Sequence, residues 1–311
     1  MSTHLVTRSY GLSGFGKQVR LNSLPLNLYP DNSPVLSMQD GLNAIPDDES
    51  VVGMLHQYTT YQQFVAAMIA ADRIHEDFPM TDLYLPYLPG ARQDKPRALR
   101  APQDKATGDV LRTRDFTLDL IDMVRFKTVH ILDPHSDIDY QVNNLQVKTY
   151  SPAETVAKFI ANSGYDGIIA ADAGGCERAG AVARLTGLPL LHNRKFRDPI
   201  TNALKGDSII GLHKNEHYLV VDDICDGGGT FLNLADHIDG AGATADLYVT
   251  HGLFTKGAAG KLKQRYVNLY ASDSLGYRAD EVQTISMVEN LMLRTDAQDT
   301  FHYHNIEEGK R

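Results

Sequence analysis

The residues best suited to chemistry lie in one run, Val220-Val-Asp-Asp-Ile-Cys-Asp-Gly-Gly-Gly-Thr230. An apolar stretch leads into two adjacent carboxylates, Asp222 and Asp223. Such a pair accepts hydrogen bonds from the neighbouring hydroxyls of a ribose. Asp226 comes next. Then Gly227, Gly228 and Gly229 let the backbone turn tightly and approach a ligand. Thr230 adds a hydroxyl at a helix N-terminus, where backbone N–H groups and the helix dipole favour a phosphate. A sugar carrying a 5-phosphate would fit this constellation. The alternative is an ordinary strand–turn–helix with Asp caps, and it leaves the coincidence of pair, glycine run and cap unexplained.

These groups need elements to hold them in place. Thr60-Tyr-Gln-Gln63 is a capping box, succeeded at helical spacing by Phe64, Ala67, Met68 and Ala71. Residues 82–86 read as a short strand, 90–108 as a loop rich in Arg, Lys and Pro, and 111–124 as a helix. A strand at 128–132 runs into Asp133-Pro-His-Ser-Asp137. Ser151-Pro-Ala-Glu154 opens another helix, with Ser as N-cap and Pro in the first turn, ending before Gly164. A strand at 167–171 leads to the turn Asp172-Ala-Gly-Gly175 and a helix to about residue 185. The strand 218–222 feeds the glycine run and a helix over 231–238. Strands at 247–250 and 267–271 flank a short helix.

Strands alternating with helices predict an α/β fold with parallel sheets covered on both faces. Ligands of such sheets bind at the carboxyl ends of strands, where all three acidic segments fall. The helix opening at Ser151 marks a boundary between two similar halves, 1–150 and 151–285. The tail, 286–311, either packs on the first half or frays.

The chain's 311 residues suit two domains, and 42% hydrophobic with 22% charged residues suit a buried core. No run of about 18 apolar residues predicts a membrane span, and the N-terminus lacks the pattern of a secretory signal. The two cysteines, Cys176 and Cys225, argue against a disulfide scaffold or structural zinc and for a reducing cytoplasm. A net charge of −9 argues against a broad nucleic-acid surface. Gly11-Leu-Ser-Gly-Phe-Gly-Lys17 imitates a P-loop, but Gln18 stands where Ser or Thr is needed and no clear buried strand precedes it. His302 and His304 read as surface residues.

The 220–230 run resembles the PRPP-binding fingerprint of type I phosphoribosyltransferases and PRPP synthetases. Pro86-Tyr-Leu-Pro-Gly-Ala-Arg-Gln-Asp-Lys95 is similar to the ATP-binding stretch of PRPP synthetases, PYxxYARQDR. Asp133 to Asp137 resembles their DLHAD metal segment, Asp172 to Gly175 with Arg178 their pyrophosphate loop, and Thr250-His-Gly their THG segment. Motif order holds over residues 60–275. The resemblance implies two phosphoribosyltransferase-like domains and a ribose-phosphate diphosphokinase. It implies ribose 5-phosphate on Asp222, Asp223, Asp226, Gly227, Gly228, Gly229 and Thr230, and diphosphate on Asp172, Ala173, Gly174 and Gly175. ATP would meet Asp40, Arg92, Gln93, Asp94 and His135. Mg²⁺ would meet His135 and Asp172.

Lys195-Phe-Arg197 matches the family's catalytic K-x-R pair on a mobile loop, although Arg194 could take the place of Lys195. By themselves His135 also reads as a loop cap and the basic pair as a solvated charge cluster. A homo-oligomer, dimer or hexamer, is implied too. Where the family carries Phe-x-Asp-Gly-Glu, this chain has Met38-Gln-Asp-Gly-Leu42, losing the aromatic ring and the Glu. Two rival readings are a phosphoribosyltransferase that uses PRPP and a catalytically silent regulatory subunit.

Overall fold

The structure is a computed structural model that describes residues 2–10, 17–23, 26–28, 34–36, 50–57, 60–77, 82–93, 113–138, 145–197, 204–275, 279–288 and 291. Its first sheet has strand order β2-β1-β5-β6-β7-β8. The strands are β1 (Ser2–Tyr10), β2 (Lys17–Ser23), β5 (Ser50–Gln57), β6 (Asp82–Tyr84), β7 (Thr128–Leu132) and β8 (Gln146–Tyr150); β3 (Leu26–Leu28) and β4 (Pro34–Leu36) pair only with each other. From β5 to β8 the pairing is parallel, and β1 runs antiparallel to both its neighbours. Helices α1 (Tyr61–Asp77) and α2 (Thr113–Met123) connect the parallel strands.

The antiparallel start adds to the sequence reading of the P-loop imitation. A strand, β1, precedes it. On its other side, from Lys17, the chain forms a second strand antiparallel to the first. A phosphate-cradling P-loop needs a helix there, so a hairpin geometry is what excludes it. Residues 11–16 themselves lie outside the described residues.

The capping box forms as expected. Gln63 Oε1 accepts the Thr60 N–H at 3.3 Å and Thr60 Oγ1 accepts the Gln63 N–H at 3.4 Å. Thr60→Ala is expected to cost about 1 kcal/mol, visible as a lowered urea midpoint with an unchanged slope.

His56 on β5 is fully buried. Burial lowers its pKa from 6.5 to about 3. The folded chain keeps the ring neutral while the unfolded chain protonates it below 6.5. The unfolded state then binds more protons, so stability falls as pH drops through that window. Between the ordinary value and about pH 5 the loss is about 2 kcal/mol. Urea midpoints taken across this range should fall more steeply in the wild type than in His56→Gln.

The second sheet has the order β11-β10-β9-β12-β13-β14-β15. Its elements in chain order are α3 (Ala153–Ile160), β9 (Gly167–Ala170), α4 (Cys176–Thr186), β10 (Leu190–Arg197), β11 (Leu204–Ile209), β12 (His217–Cys225), α5 (Gly229–Gly240), β13 (Thr244–Gly252), α6 (Ala258–Lys263), β14 (Leu269–Ser272) and β15 (Gln283–Ile285). All pairings are parallel except β10 with β11. The strands β7, β9 and β14 are buried at every residue, as expected for sheets covered on both faces. The α/β expectation of two similar, mainly parallel sheets flanked by helices is met.

Three of the local differences from the sequence reading bear on the site. At α3 the N-cap is Pro152, and Ser151 Oγ accepts the Ala153 N–H at 3.3 Å instead of acting as the cap itself. Strand β12 continues through both acids to Cys225 rather than stopping at residue 222. Lys195 and Arg197, expected on a loop, lie on β10 opposite Asp207 and Leu204 of β11. The backbone there pairs as a hairpin because an antiparallel partner satisfies its N–H and C=O groups.

After β15 the chain crosses to the first sheet. Val288 and Leu291 pack with Leu55 and Tyr84. Gln57 Nε2 also donates to the Asp273 carbonyl, so contacts join the two halves directly.

Candidate active site

In the second sheet β9 neighbours β10 on one side and β12 on the other. The connection through α4 leads to β10 and the one through α5 leads to β13. Chain direction across the sheet thus reverses between β9 and β12, and ligands of such sheets bind at this switch point. A cavity of about 810 Å³ opens there. It is lined by Asp172, Gly174 and Gly175 of the loop after β9, by Arg178 of α4, by Asp222, Asp223 and Ile224 of β12, and by residues 226–231, which run from the end of β12 into α5. Arg92 and His135, both from loops of the first half, complete the wall.

Two helix N-termini meet at this cavity, those of α4 and α5. Their first-turn N–H groups lack intrahelical partners and carry partial positive charge. The N-cap of α5 is Gly228 with φ 77°, a left-handed conformation that glycine adopts freely. A β-carbon there would also sit 3.2 Å from Leu262 Cδ1. At α4, Asp172 Oδ1 accepts the Gly175 N–H at 3.0 Å and shapes the loop.

The two β12 carboxylates both line the cavity but meet different neighbours. Asp222 lies against the β9 loop: a β-carbon on Gly175 would stand 3.1 Å from its Oδ1. Asp223 Oδ2 meets His135 Nδ1 at 2.6 Å. Burial, and then the neighbouring Asp223 charge, push Asp222 up to about 7. Burial would raise Asp223 as well, but the His135 hydrogen bond and the Arg178 charge outweigh it and hold it down at about 2. Environment therefore splits the pair.

His251 on β13 supports the same region. Its Nε2 lies 3.1 Å from both the Leu132 and the Asp133 carbonyl oxygens, so that nitrogen carries the proton. Burial lowers its pKa, which keeps the ring neutral. Asp226 accepts hydrogen bonds from Thr255 Oγ1 and from Arg92 Nη1, the latter at 3.2 Å. Cys225 is buried, and burial pushes its thiol up to about 12, so it behaves as a core residue.

Most of the residues singled out in the sequence converge on this cavity. Gln93 and Ala173 do not line it. Gln93 Oε1 instead accepts the Thr113 N–H at 3.1 Å, at the start of α2, and the Ala173 carbonyl accepts the Cys176 N–H. Asp40 and Asp94 lie outside the described residues. For Lys195 and Arg197 the structure gives the strand and its register. Thr255 was not singled out in the sequence, and Thr250, His251 and Arg178 were named there only as parts of family segments, without a role of their own. The available signal for Arg178 was a single cation, three residues after the second loop glycine, on a helix whose buried face is otherwise Ala, Gly and Val.

No family model matches the chain. A ribose-phosphate pyrophosphokinase of Thermococcus kodakarensis is 26% identical over 249 residues, 79% of this chain and 84% of that protein. One of Pyrococcus furiosus is 23% identical over 276 residues, 84% of this chain and 94% of that protein. Over most of its length the chain is similar to curated ribose-phosphate pyrophosphokinases. Among solved structures, the phosphoribosylpyrophosphate synthetase of Mycobacterium smegmatis superposes with a TM-score of 0.66, covering 88% of each chain at 19% identity. That likeness gives the chain its fold, two mainly parallel, phosphoribosyltransferase-like sheets flanked by helices.

Proposed function

We propose that the chain is a ribose-phosphate diphosphokinase, transferring the β,γ-diphosphoryl group of ATP to the C1 hydroxyl of ribose 5-phosphate. One observation carries the reading. A single cavity gathers an acidic pair, a glycine-rich helix N-terminus and a second helix N-terminus from one half, with Arg92 and His135 from the other. A phosphorylated sugar and a nucleotide diphosphate need these two chemistries side by side.

In the reaction the C1 oxygen attacks the β-phosphorus, the bond to the α,β-bridging oxygen breaks, and AMP leaves while the hydroxyl proton is released. Asp222 and Asp223 would accept the sugar hydroxyls, and the start of α5 would hold the 5-phosphate. Asp172 to Gly175 would hold the migrating diphosphate on backbone N–H groups. Lys195 and Arg197, on the arm formed by β10 and β11, would stabilise charge that builds on the phosphoryl oxygens in the transition state.

The donor set fits magnesium of one kind. Among the described residues no cluster of three or more metal-ligating side chains occurs. Magnesium that keeps waters and arrives on substrate phosphates needs only one or two protein ligands, and His135 and Asp172 both line the cavity. Bound there, it would neutralise phosphate charge. Assembly as a homo-oligomer and residence in the cytoplasm belong to the same proposal. Among the described residues no helix is long and apolar enough to cross a membrane.

The test is formation of AMP and PRPP from ATP, ribose 5-phosphate and Mg²⁺, beside Lys195→Ala. Equal yields of both products, and a variant slower by about a hundredfold or more, support the reading. If the wild type forms neither product with ATP, GTP or CTP, the silent-subunit and transferase readings take its place.

A further inference from the structure

Arg178 sits where three buried carboxylates meet, and its side chain is only 12% exposed. Its Nε donates to Asp133 Oδ1 at 2.6 Å, and Nη2 donates to the Pro134 carbonyl at 3.3 Å. Nη1 lies 3.8 Å from Asp222 Oδ1 and Nη2 lies 3.7 Å from Asp223 Oδ2. The guanidinium thus faces Asp133 and both members of the β12 pair at once.

Asp133 is itself held on several sides. Its N–H donates to the Tyr150 carbonyl at 2.8 Å, its Oδ2 accepts from Thr250 Oγ1, and its carbonyl accepts from His251 Nε2. Its φ of 43° lies in the left-handed region, where Asp is among the few side chains found. Two residues on, His135 reaches Asp223. The contacts close a ring: Asp133, Arg178, the Asp222–Asp223 pair and His135. That ring ties the loop after β7 in the first sheet to α4, β12 and β13 in the second.

We propose that Arg178, anchored by Asp133, is a positioning residue for the sugar phosphate. Its planar fork sets the spacing between the β12 carboxylates and the His135 loop. The inference rests on the reading that this pair binds ribose 5-phosphate. A guanidinium offers five donors in fixed directions, whereas an ammonium supplies a point charge. Lysine at this position would therefore supply charge without the spacing.

Three variants separate positioning from charge balance: Arg178→Gln, Arg178→Lys and, as a control, Val156→Ala. Val156 is fully buried in the core that α3 shares with α4 and β9, and it does not line the cavity. In both Arg178 variants KM for ribose 5-phosphate should rise about tenfold or more, with KM for ATP within about twofold. Lysine should restore the melting temperature but not that KM. The control should lose melting temperature and keep both KM values. If KM tracks melting temperature across all three, or if lysine restores both, Arg178 only balances charge and the proposal is overturned.

A second readout needs no turnover. The ring ¹⁵N signals of His135 should shift in Arg178→Gln and hold in Val156→Ala; signals that hold in both overturn the proposal. If the wild type makes neither AMP nor PRPP, the functional reading fails on its own, and the His135 signals alone decide the positioning claim.

Discussion

Asp223→Asn should lower kcat/KM for ribose 5-phosphate about a hundredfold or more while leaving the fold intact. Asp223 is 4% exposed, yet His135 and Arg178 keep it ionised far below neutral pH. It is thus a preorganised anion at the carboxyl end of β12. Hydrogen bonds to a charged acceptor contribute about 1.5–3 kcal/mol each, and about 2.7 kcal/mol corresponds to a hundredfold in rate. Asparagine keeps the shape, and its amide oxygen can still accept the Ile224 N–H that Asp223 Oδ1 takes at 2.8 Å. It gives up the charge and one acceptor. Steady-state kinetics with each substrate varied in turn, together with a melting curve, provide the check. A loss below about tenfold would place the sugar elsewhere in the cavity.

The second large effect is on stability, at a glycine that touches no ligand loop. Gly53 lies on β5 opposite Asp82 of β6. A β-carbon on Gly53 would stand 2.3 Å from the Asp82 carbonyl oxygen and 3.1 Å from its carbon. A backbone carbonyl within a parallel sheet cannot swing aside as a side-chain tip can. Gly53→Ala therefore has to push β5 and β6 apart in the centre of the first sheet. A loss of about 3 kcal/mol is expected, the upper end for overpacking a core. Urea denaturation should show a lower midpoint, and protein that remains folded should keep its KM for ribose 5-phosphate. An unchanged midpoint would mean that the two strands leave room for a methyl group at this position.

The sequence made parts of this readable because local chemistry and global fold agree there. The capping box at Thr60, the turn at Gly228 and the carboxylate pair each need residue types that few other structures require. Strands such as β7 and β9 were legible as short apolar runs between turn signals. The β10–β11 hairpin was not, because Lys195, Arg197 and Asp207 carry polar side chains that give no apolar alternation, and only backbone pairing makes them a strand. The antiparallel opening of the first sheet was missed for the same reason. Its strands mix Ser, Thr, Arg and Asn, and their order is set by pairing with a distant β5. Arg178 shows the limit most sharply. Its partners Asp133 and Asp222 lie 45 and 44 residues away in the chain, and only the fold brings them within reach. At Gln93 a motif position suggested a ligand contact, and in the fold its side chain accepts the Thr113 N–H at the start of α2.

The packing of Val288 and Leu291 on Leu55 and Tyr84 has a consequence for biogenesis. A ribosome makes the first sheet's strands early and these covering residues only after the second sheet. Throughout synthesis of the second half, Leu55 and Tyr84 lack two of the side chains that shield them in the finished protein. Domains usually fold as units in the order they emerge, but here the earlier half cannot finish until the later one is delivered. Nascent chains should therefore depend on holdase chaperones until residues 288–291 have emerged, and a stop codon just ahead of Val288 should yield insoluble protein rather than a shortened enzyme.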